Sequence, residues 1–290
     1  MTLEQLRIFI AVAERQHMTR ASEALNLTQS AASAAVAALE SRYGVRLFDR
    51  VGRGLKLTEA GYAFLPEAKA VLSRAEAAAQ ALDDLAGLKR GRLAIHASQT
   101  IASYWLPNRL ARFAGAHPSI ALDLHVGNSA QVARAVSEGE ADLGFVEGRL
   151  SDPLLEHQRV GADRLAVVAA PDHPLASERS PSIADLLAAD WVLREEGSGT
   201  RSEFERALQD GGVDPGALKL RLALPSNEAV LGAVASGFLL SAVSELAAAP
   251  LIAAGRIKAL AFGLPERSFE VLTHSQRRRS RAAAVFLEGL

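Results

Sequence analysis

From Gly91 onward, short apolar or β-branched runs alternate with stretches of helical periodicity, and this pattern restricts the architecture of the 290-residue chain more than any other. The runs are "RLAIHA", "ALDLHV", "ADLGFV", "DRLAVVAA", "WVLR", "LKLRLAL" and "FLLSAV". Parallel neighbours need a crossover, so strands separated by helices predict parallel sheets of the α/β class, with binding crevices at the carboxyl ends of the strands. Residues 91–290 are long enough for two lobes. Turn formers in Leu150–Pro153 and Pro171–Pro181 mark the expected inter-lobe connections.

The first 57 residues read differently. Leu3, Leu6, Phe9, Ile10 and Ala13 fall on one helical stripe, "TRASEAL" makes a short second helix, and "TQSAASAAVAALESRYG" (Thr28 to Gly44) makes a third. "VRLFDRVGRGLKLT" alternates apolar and basic residues around Gly52 and Gly54, which predicts a two-stranded hairpin. Thr58 then opens a long helix to about Leu88. Leu65, Leu72, Ala79 and Ala86 lie seven apart, with Ala68, Ala75 and Leu82 between them, forming a heptad seam. A second copy of the chain is the economical cover for that seam; packing on the same chain is the other.

The third helix is unusual for its outer face. Ala32, Val36, Leu39 and Tyr43 form its inward stripe, while Gln29, Ser30, Ser33, Ala34, Ala37 and Ser41 face out, so the exterior is small and uncharged. A helix lying in a DNA major groove about 12 Å wide benefits from such short side chains and from hydrogen-bonding groups near its N-terminus. Thr28 as N-cap leaves free N–H groups for a phosphate. An alanine-rich helix packed on both sides is the plainer alternative. Charge separates the two. The chain carries a net charge of only −1, which excludes a uniformly basic nucleic-acid coater, yet Arg42, Arg46, Arg50, Arg53 and Lys56 stand against Asp49 alone.

On these residues the chain resembles the LysR-type transcriptional regulators. "LRIFIAVAERQHMTRASEALNLTQSAASAAVAALESRYGVRLFDRVGRGLKLTEAG" is similar to that family's winged helix-turn-helix almost position by position. The likeness continues through "ADLGFVEG", "VVAAPDHPLA", "REEGSGTR" and "SNEAVLGAVASGFLLSAVSE". One departure is Ser30-Ala31-Ala32, where many members carry Pro-Ala-Val. The resemblance implies a DNA-binding domain over 1–57, a linker and dimerisation helix over 58–90, and an effector domain over 91–290 of periplasmic-binding-protein-like form. Its lobe I would span about 91–160 and 267–290, and its lobe II about 161–266. It implies a homodimer or homotetramer acting on double-stranded DNA. By motif, Thr28, Gln29, Ser30 and Ser33 become groove or phosphate contacts, with Arg50 and Arg53 on the wing.

Three strand-to-helix junctions frame an expected effector site. Ser98 and Thr100 in "ASQTIASYWLP", Asn128 in "HVGNSAQV", and Ser198, Thr200 and Arg201 in "REEGSGTRSEF" stand where hydroxyls meet free helical N–H groups, an arrangement that favours an anion. Ser98, Thr100, Asn128 and Thr200 each also fit a plain cap, and Arg201 a solvated charge. Glu147 in "FVEG" reaches the cleft by resemblance or sits in a surface turn; an acid there argues against a highly charged phosphate unless it is protonated or bridged. "ASQTIASYWLP" with "REEGSGTR" is similar to the branch of regulators of sulfur assimilation and carbon fixation, which implies a sulfite-like oxyanion or a phosphorylated metabolite as effector.

Enzymatic readings find little support. "EGSGTR" lacks the lysine and spacing of a phosphate loop, and no nucleophile elbow is present. The seven histidines lack metal-ligand pairing, so neither metal nor cofactor is called for. Zero cysteines fit a reducing compartment. The charged N-terminal stripe does not read as a signal peptide and no run is long enough to span a bilayer, so a cytoplasmic protein without membrane contact is expected. A pure solute-binding protein would suit two lobes but leaves the basic hairpin unexplained. The expected mechanism couples lobe closure on an anion to the spacing of paired DNA-binding modules.

Overall fold

The computed structural model describes residues 1–52, 54–85, 91–148, 150–178 and 180–290. The chain divides into two compact units, Met1–Gly87 with Glu138–Glu140, and Leu88–Ser137 with Ala141–Leu290.

In the first unit, α1 (Leu3–Arg15) begins with a reciprocal cap: the Thr2 hydroxyl accepts from the Gln5 N–H while the Gln5 side chain accepts from the Thr2 N–H. Its apolar stripe buries Leu6, Phe9 and Val12 against α2 (Met18–Ala24) and α3 (Gln29–Tyr43). The hairpin is real: β1 (Phe48–Val51) pairs antiparallel with β2 (Gly54–Leu57), and Gly52 takes the left-handed φ of 60° that the turn needs. Phe9 packs against Phe48 at 5.4 Å and against Phe64 at 5.0 Å between ring centres, joining the hairpin and α4 (Glu59–Leu85) to the core.

One expectation about this unit needs correction. Tyr43 does not share the inward stripe with Ala32, Val36 and Leu39; it is 56% exposed, because Gly44 turns the chain left-handed and ends α3 before another element covers the ring. The heptad seam of α4 is covered in part by this chain itself. Ala68 is fully buried, and Leu65 and Leu72 pack beside it on this chain's own helical core. Among the described side chains of α4, the large apolar ones left exposed are Tyr62, Val71 and Leu82. Ala86, the last seam position, lies outside the described residues.

In the second unit the described strands form one sheet of nine in the order β4-β3-β5-β11-β6-β9-β7-β8, with β10 also paired to β6. They are β3 (Gly91–Ser98), β4 (Ile120–Gly127), β5 (Leu143–Glu147), β6 (Leu155–Ala169), β7 (Asp190–Arg194), β8 (Lys219–Leu224), β9 (Leu239–Ser244), β10 (Lys258–Ala259) and β11 (Glu266–His274). All seven predicted runs are strands. The expected parallel pairing holds for β3 with β4 and β5, and for β7 with β8 and β9, but β6 and β11 run antiparallel to their neighbours, so the sheet is mixed.

That difference sets the lobes. The long strand β6 pairs with β11 through its first part and with β9 through Leu165–Val168, passing from one lobe to the other within a continuous strand. Pro171–Pro181, expected as a connection between lobes, instead follows β6 and leads to α7 (Ile183–Ala188). One lobe buries Leu93, Ile95, Phe145, Phe269 and Phe286 in its core. The other buries Leu165, Val167, Trp191, Phe204 and Leu240. Each such side chain contributes roughly 1.5–3 kcal/mol by leaving water.

The helices that present the crevice are α6 (Ser129–Glu138), α8 (Gly199–Asp210) and α9 (Asn227–Ala235), while α5 (Pro107–Ala116), α10 (Glu245–Ala253) and α11 (Arg281–Glu288) cover the sheet. Gly144 lets α6 lie close: a Cβ there would stand 2.6 Å from the Val136 side chain and 2.9 Å from that of Val132. The short approach fixes where the first residue of α6, Ser129, meets the end of β5.

Candidate functional site: a basic helix-turn-helix and an inter-lobe crevice

The first candidate surface is the outer side of α3. Thr28 caps the helix, its hydroxyl accepting from the Ala31 N–H at 3.2 Å and lying 3.1 Å from the Ser30 hydroxyl. Gln29 and Ser30 are exposed and Ser33 is half-buried, while Ala34, Ala37 and Ser41 complete an exposed face without charge. Beside it, Arg42, Arg46, Arg50 and Lys56 are all exposed. Among the described residues none of the four is paired with a carboxylate, so their charge is available to an anionic partner. Arg50 lies on β1, and Arg53 falls outside the described residues. Sequence reasoning missed Glu40, whose carboxylate accepts the N–H groups of Leu47 at 2.7 Å and Phe48 at 3.2 Å and so ties α3 to the hairpin. Nothing in its helical spacing distinguishes it from a solvated acid.

The second candidate lies where the lobes of the second unit meet. Ser98 ends β3, and Thr100 directly precedes a π-helical turn, Ile101–Trp105, without capping it through its side chain. Instead the Thr100 hydroxyl accepts from the Asn227 side-chain amide at 3.1 Å, and the Gln99 side-chain Oε1 accepts the Asn227 backbone N–H at 2.7 Å. These bonds run from the first lobe to the N-terminus of α9 in the second. Asn128 does cap: its Oδ1 accepts the Gln131 N–H at 3.0 Å, while its amide donates to Glu195 at 3.3 Å in the other lobe.

Glu147 is not a surface turn residue. It ends β5, is 3% exposed, and accepts hydrogen bonds from Ser98 at 2.8 Å and from Ser129 at 3.0 Å. From the opposite lobe Gly199, the first residue of α8, approaches so closely that a Cβ would stand 2.7 Å from Glu147 Oε2. Ser198 is the N-cap residue of α8 and is buried, yet makes no capping bond through its side chain. The Thr200 hydroxyl accepts from Arg267 at 3.0 Å. Arg201 is engaged elsewhere, paired with Glu205 on its own helix at 2.7 Å.

Two buried guanidinium groups were not found from the sequence. Arg267 is 2% exposed and donates to Asp163 at 2.7 Å. Arg194 is 4% exposed, donating to Glu195 at 2.8 Å and to Asn227 at 3.0 Å. Burial works against the charge of Glu195, but the hydrogen bonds and charge of Arg194, with bonds from its own backbone N–H and from Asn128, together outweigh it and hold the carboxyl below its ordinary range. Glu203, one turn into α8, goes the other way. Burial pushes it up, Glu147 and Asp210 add to the rise, and Arg206 and Arg267 only partly oppose it. Arg267 was invisible because "ERSFEV" was not read as a strand, whereas Ser129 follows Asn128 directly at the same strand-to-helix junction and could have been taken with it.

Comparison with known proteins matches both parts of the chain. The family description "Bacterial regulatory helix-turn-helix protein, lysR family" fits residues 3–62, and "LysR substrate binding domain" fits residues 86–290. The chain is 37% identical over 296 residues to the HTH-type transcriptional regulator YeiE of Escherichia coli (strain K12), covering 99% of this chain and 96% of that one. Full-length CbnR complexed with its target DNA has the same fold, with a TM-score of 0.71 at 22% identity, covering 100% of this chain and 98% of that one. The regulatory domain of Synechocystis PCC6803 CcmR in complex with 2-PG superposes with a TM-score of 0.62 at 29% identity, covering 69% of this chain and 95% of that one.

Proposed function

We propose that this chain, which belongs to the LysR family of bacterial helix-turn-helix regulators, lays α3 in the major groove and tunes its hold on DNA through a small oxyanion bound between the lobes. It is a transcriptional regulator with an effector-binding domain, not an enzyme. The observation that carries the DNA reading is the slim, uncharged outer face of α3 beside four exposed and unpaired cations, Arg42, Arg46, Arg50 and Lys56. Thr28, Gln29, Ser30 and Ser33 would meet base edges or the first phosphates, and Arg50 and Arg53 the backbone along the groove. Chains would pair through α4, which leaves Tyr62, Val71 and Leu82 exposed, and a homodimer or homotetramer would place two such helices on half-sites about one turn apart. Among the described residues no helix is long and apolar enough to cross a membrane, and we place the protein in the cytoplasm.

Support for an anion comes from hydroxyl protons. Thr100, Ser198 and Thr200 are each buried, and among the described residues none has an acceptor for its hydroxyl hydrogen. With the N-terminus of α8 they form a cradle of donors from both lobes, bordered by Ser98 and Asn128, whose own hydrogens go to Glu147 and to Glu195. Arg201, bound to Glu205, contributes positive potential rather than a free contact. CcmR, captured with 2-PG, shows that a related regulatory domain takes a small ligand. Binding there would move the lobes and thereby the paired helices.

Gel shift with the DNA upstream of the protein's own gene, with and without inorganic phosphate or sulfite, tests both halves. Retardation that survives Ser33→Glu would remove α3 from the groove. Retardation and footprint unchanged by either anion and by a Thr100→Ala, Ser198→Ala double substitution would remove the crevice.

A further inference from the structure

The acid in the donor cradle constrains its ligand more than the donors do. Glu147 is 3% exposed and, among the described residues, no Lys, Arg or His lies within ion-pair distance of it. Its carboxylate accepts from two serine hydroxyls, one of them on the first residue of α6, and lies against Gly199 at the start of α8. A carboxylate offers about four lone-pair positions and only accepts. Ser98 and Ser129 occupy one on each oxygen, leaving acceptor capacity on both.

The charges around it do not offset this acceptor. Arg267 on β11 is already committed to Asp163 and Thr200, and Glu203 on α8 is a second buried carboxylate whose proton is held more tightly partly because of Glu147. A fully ionised oxyanion brought into the cradle would therefore face Glu147 across a desolvated gap with no hydrogen between them. Like-charge contacts of that kind strongly disfavour binding. An oxyanion that still carries a proton meets the same carboxylate as a hydrogen-bond acceptor, while its other oxygens take the hydroxyls of Thr100, Ser198 and Thr200.

We propose that Glu147 makes the crevice selective for an oxyanion bearing an acidic O–H, such as hydrogen phosphate, a hydrogen phosphate monoester or hydrogen sulfite, and exclusive of sulfate. This rests on the crevice being the effector site. A site built to hydrogen-bond a ligand O–H rejects the analogue that lacks it by far more than a shape difference would, because a buried acceptor is left unsatisfied. Glu147 is thus a filter for protonation state, placed among donors that by themselves would not distinguish phosphate from sulfate.

The test is calorimetric titration of the full chain with inorganic phosphate, sulfite and sulfate at neutral pH, on the native protein and on Glu147→Gln. Native protein should bind phosphate or sulfite at least about 100-fold more tightly than sulfate. Glu147→Gln, whose amide can donate to a fully ionised oxygen, should gain sulfate affinity and lose most of the discrimination. Sulfate binding to native protein within a few-fold of the other two overturns the filter and leaves the anion site standing. An unchanged ratio in a folded Glu147→Gln protein overturns it equally. Absence of binding by all three anions to either protein overturns the anion site and the filter together. Should the glutamine variant not fold, the ratio measured on native protein decides alone.

Discussion

Breaking the Arg267–Asp163 pair should be among the most damaging single changes in the effector-binding unit. Both side chains are 2% exposed, Arg267 donates to Asp163 Oδ2 through Nη2 at 2.7 Å and Nε at 3.3 Å, and its Nη1 holds the Thr200 hydroxyl. Arg267→Met removes these donors and leaves a carboxylate buried without a cation, a situation that costs about 3–5 kcal/mol. Replacing both members with apolar residues, Arg267→Met with Asp163→Leu, removes the stranded charge and should recover most of that loss. The chain has two tryptophans, Trp105 and Trp191, and both belong to this unit, so urea unfolding followed by their fluorescence reports on it selectively. With a slope of about 2–3 kcal/mol per molar urea, the single substitution should lower the midpoint by about 1–2 M. A loss below about 1 kcal/mol, or a double variant no more stable than the single one, would show that the pair is not desolvated as its burial implies.

Removing Arg50 should weaken binding to all duplexes alike and reduce the slope of log affinity against log salt by about one counterion, measured by fluorescence anisotropy; an unchanged slope would take Arg50 off the phosphates. Thr28→Ala should cost the DNA-binding unit about 1 kcal/mol in thermal unfolding, through loss of the cap on the Ala31 N–H. Glu203 has a folded-state pKa raised above the ordinary value of 4.5, chiefly by burial, so folding favours its protonated form. Its penalty is absent below 4.5, develops as pH rises through the raised value, and is complete above it. Glu203→Gln should therefore raise the melting temperature at neutral pH and converge with the native protein in acid; a gap independent of pH would contradict this.

The candidate DNA surface was legible almost residue by residue because its signals are local. Periodicity, a Thr cap, a Gly turn and a run of basic residues all lie between Thr28 and Lys56, and helix geometry converts that spacing directly into a face. Tyr43 failed for a reason that spacing does not contain: whether a neighbouring element reaches the end of the stripe. The seam of α4 was legible as a stripe only, since a heptad pattern states that Leu65, Ala68 and Leu72 need cover but not that this chain's own core supplies it.

The candidate crevice divides along the same line. Its hydroxyls and Asn128 were found because strand-to-helix junctions announce themselves in the order of residues, and the seven strands likewise. Amino-acid order thus determined the elements, their inward faces and the donors at their ends. Only tertiary packing decided that β6 crosses between the lobes, that Arg267 meets Asp163 across 104 positions, and that Glu147 turns inward between Ser98 and Ser129. Those facts depend on contacts between residues far apart in the chain, where burial, and not spacing, sets which charges must find partners.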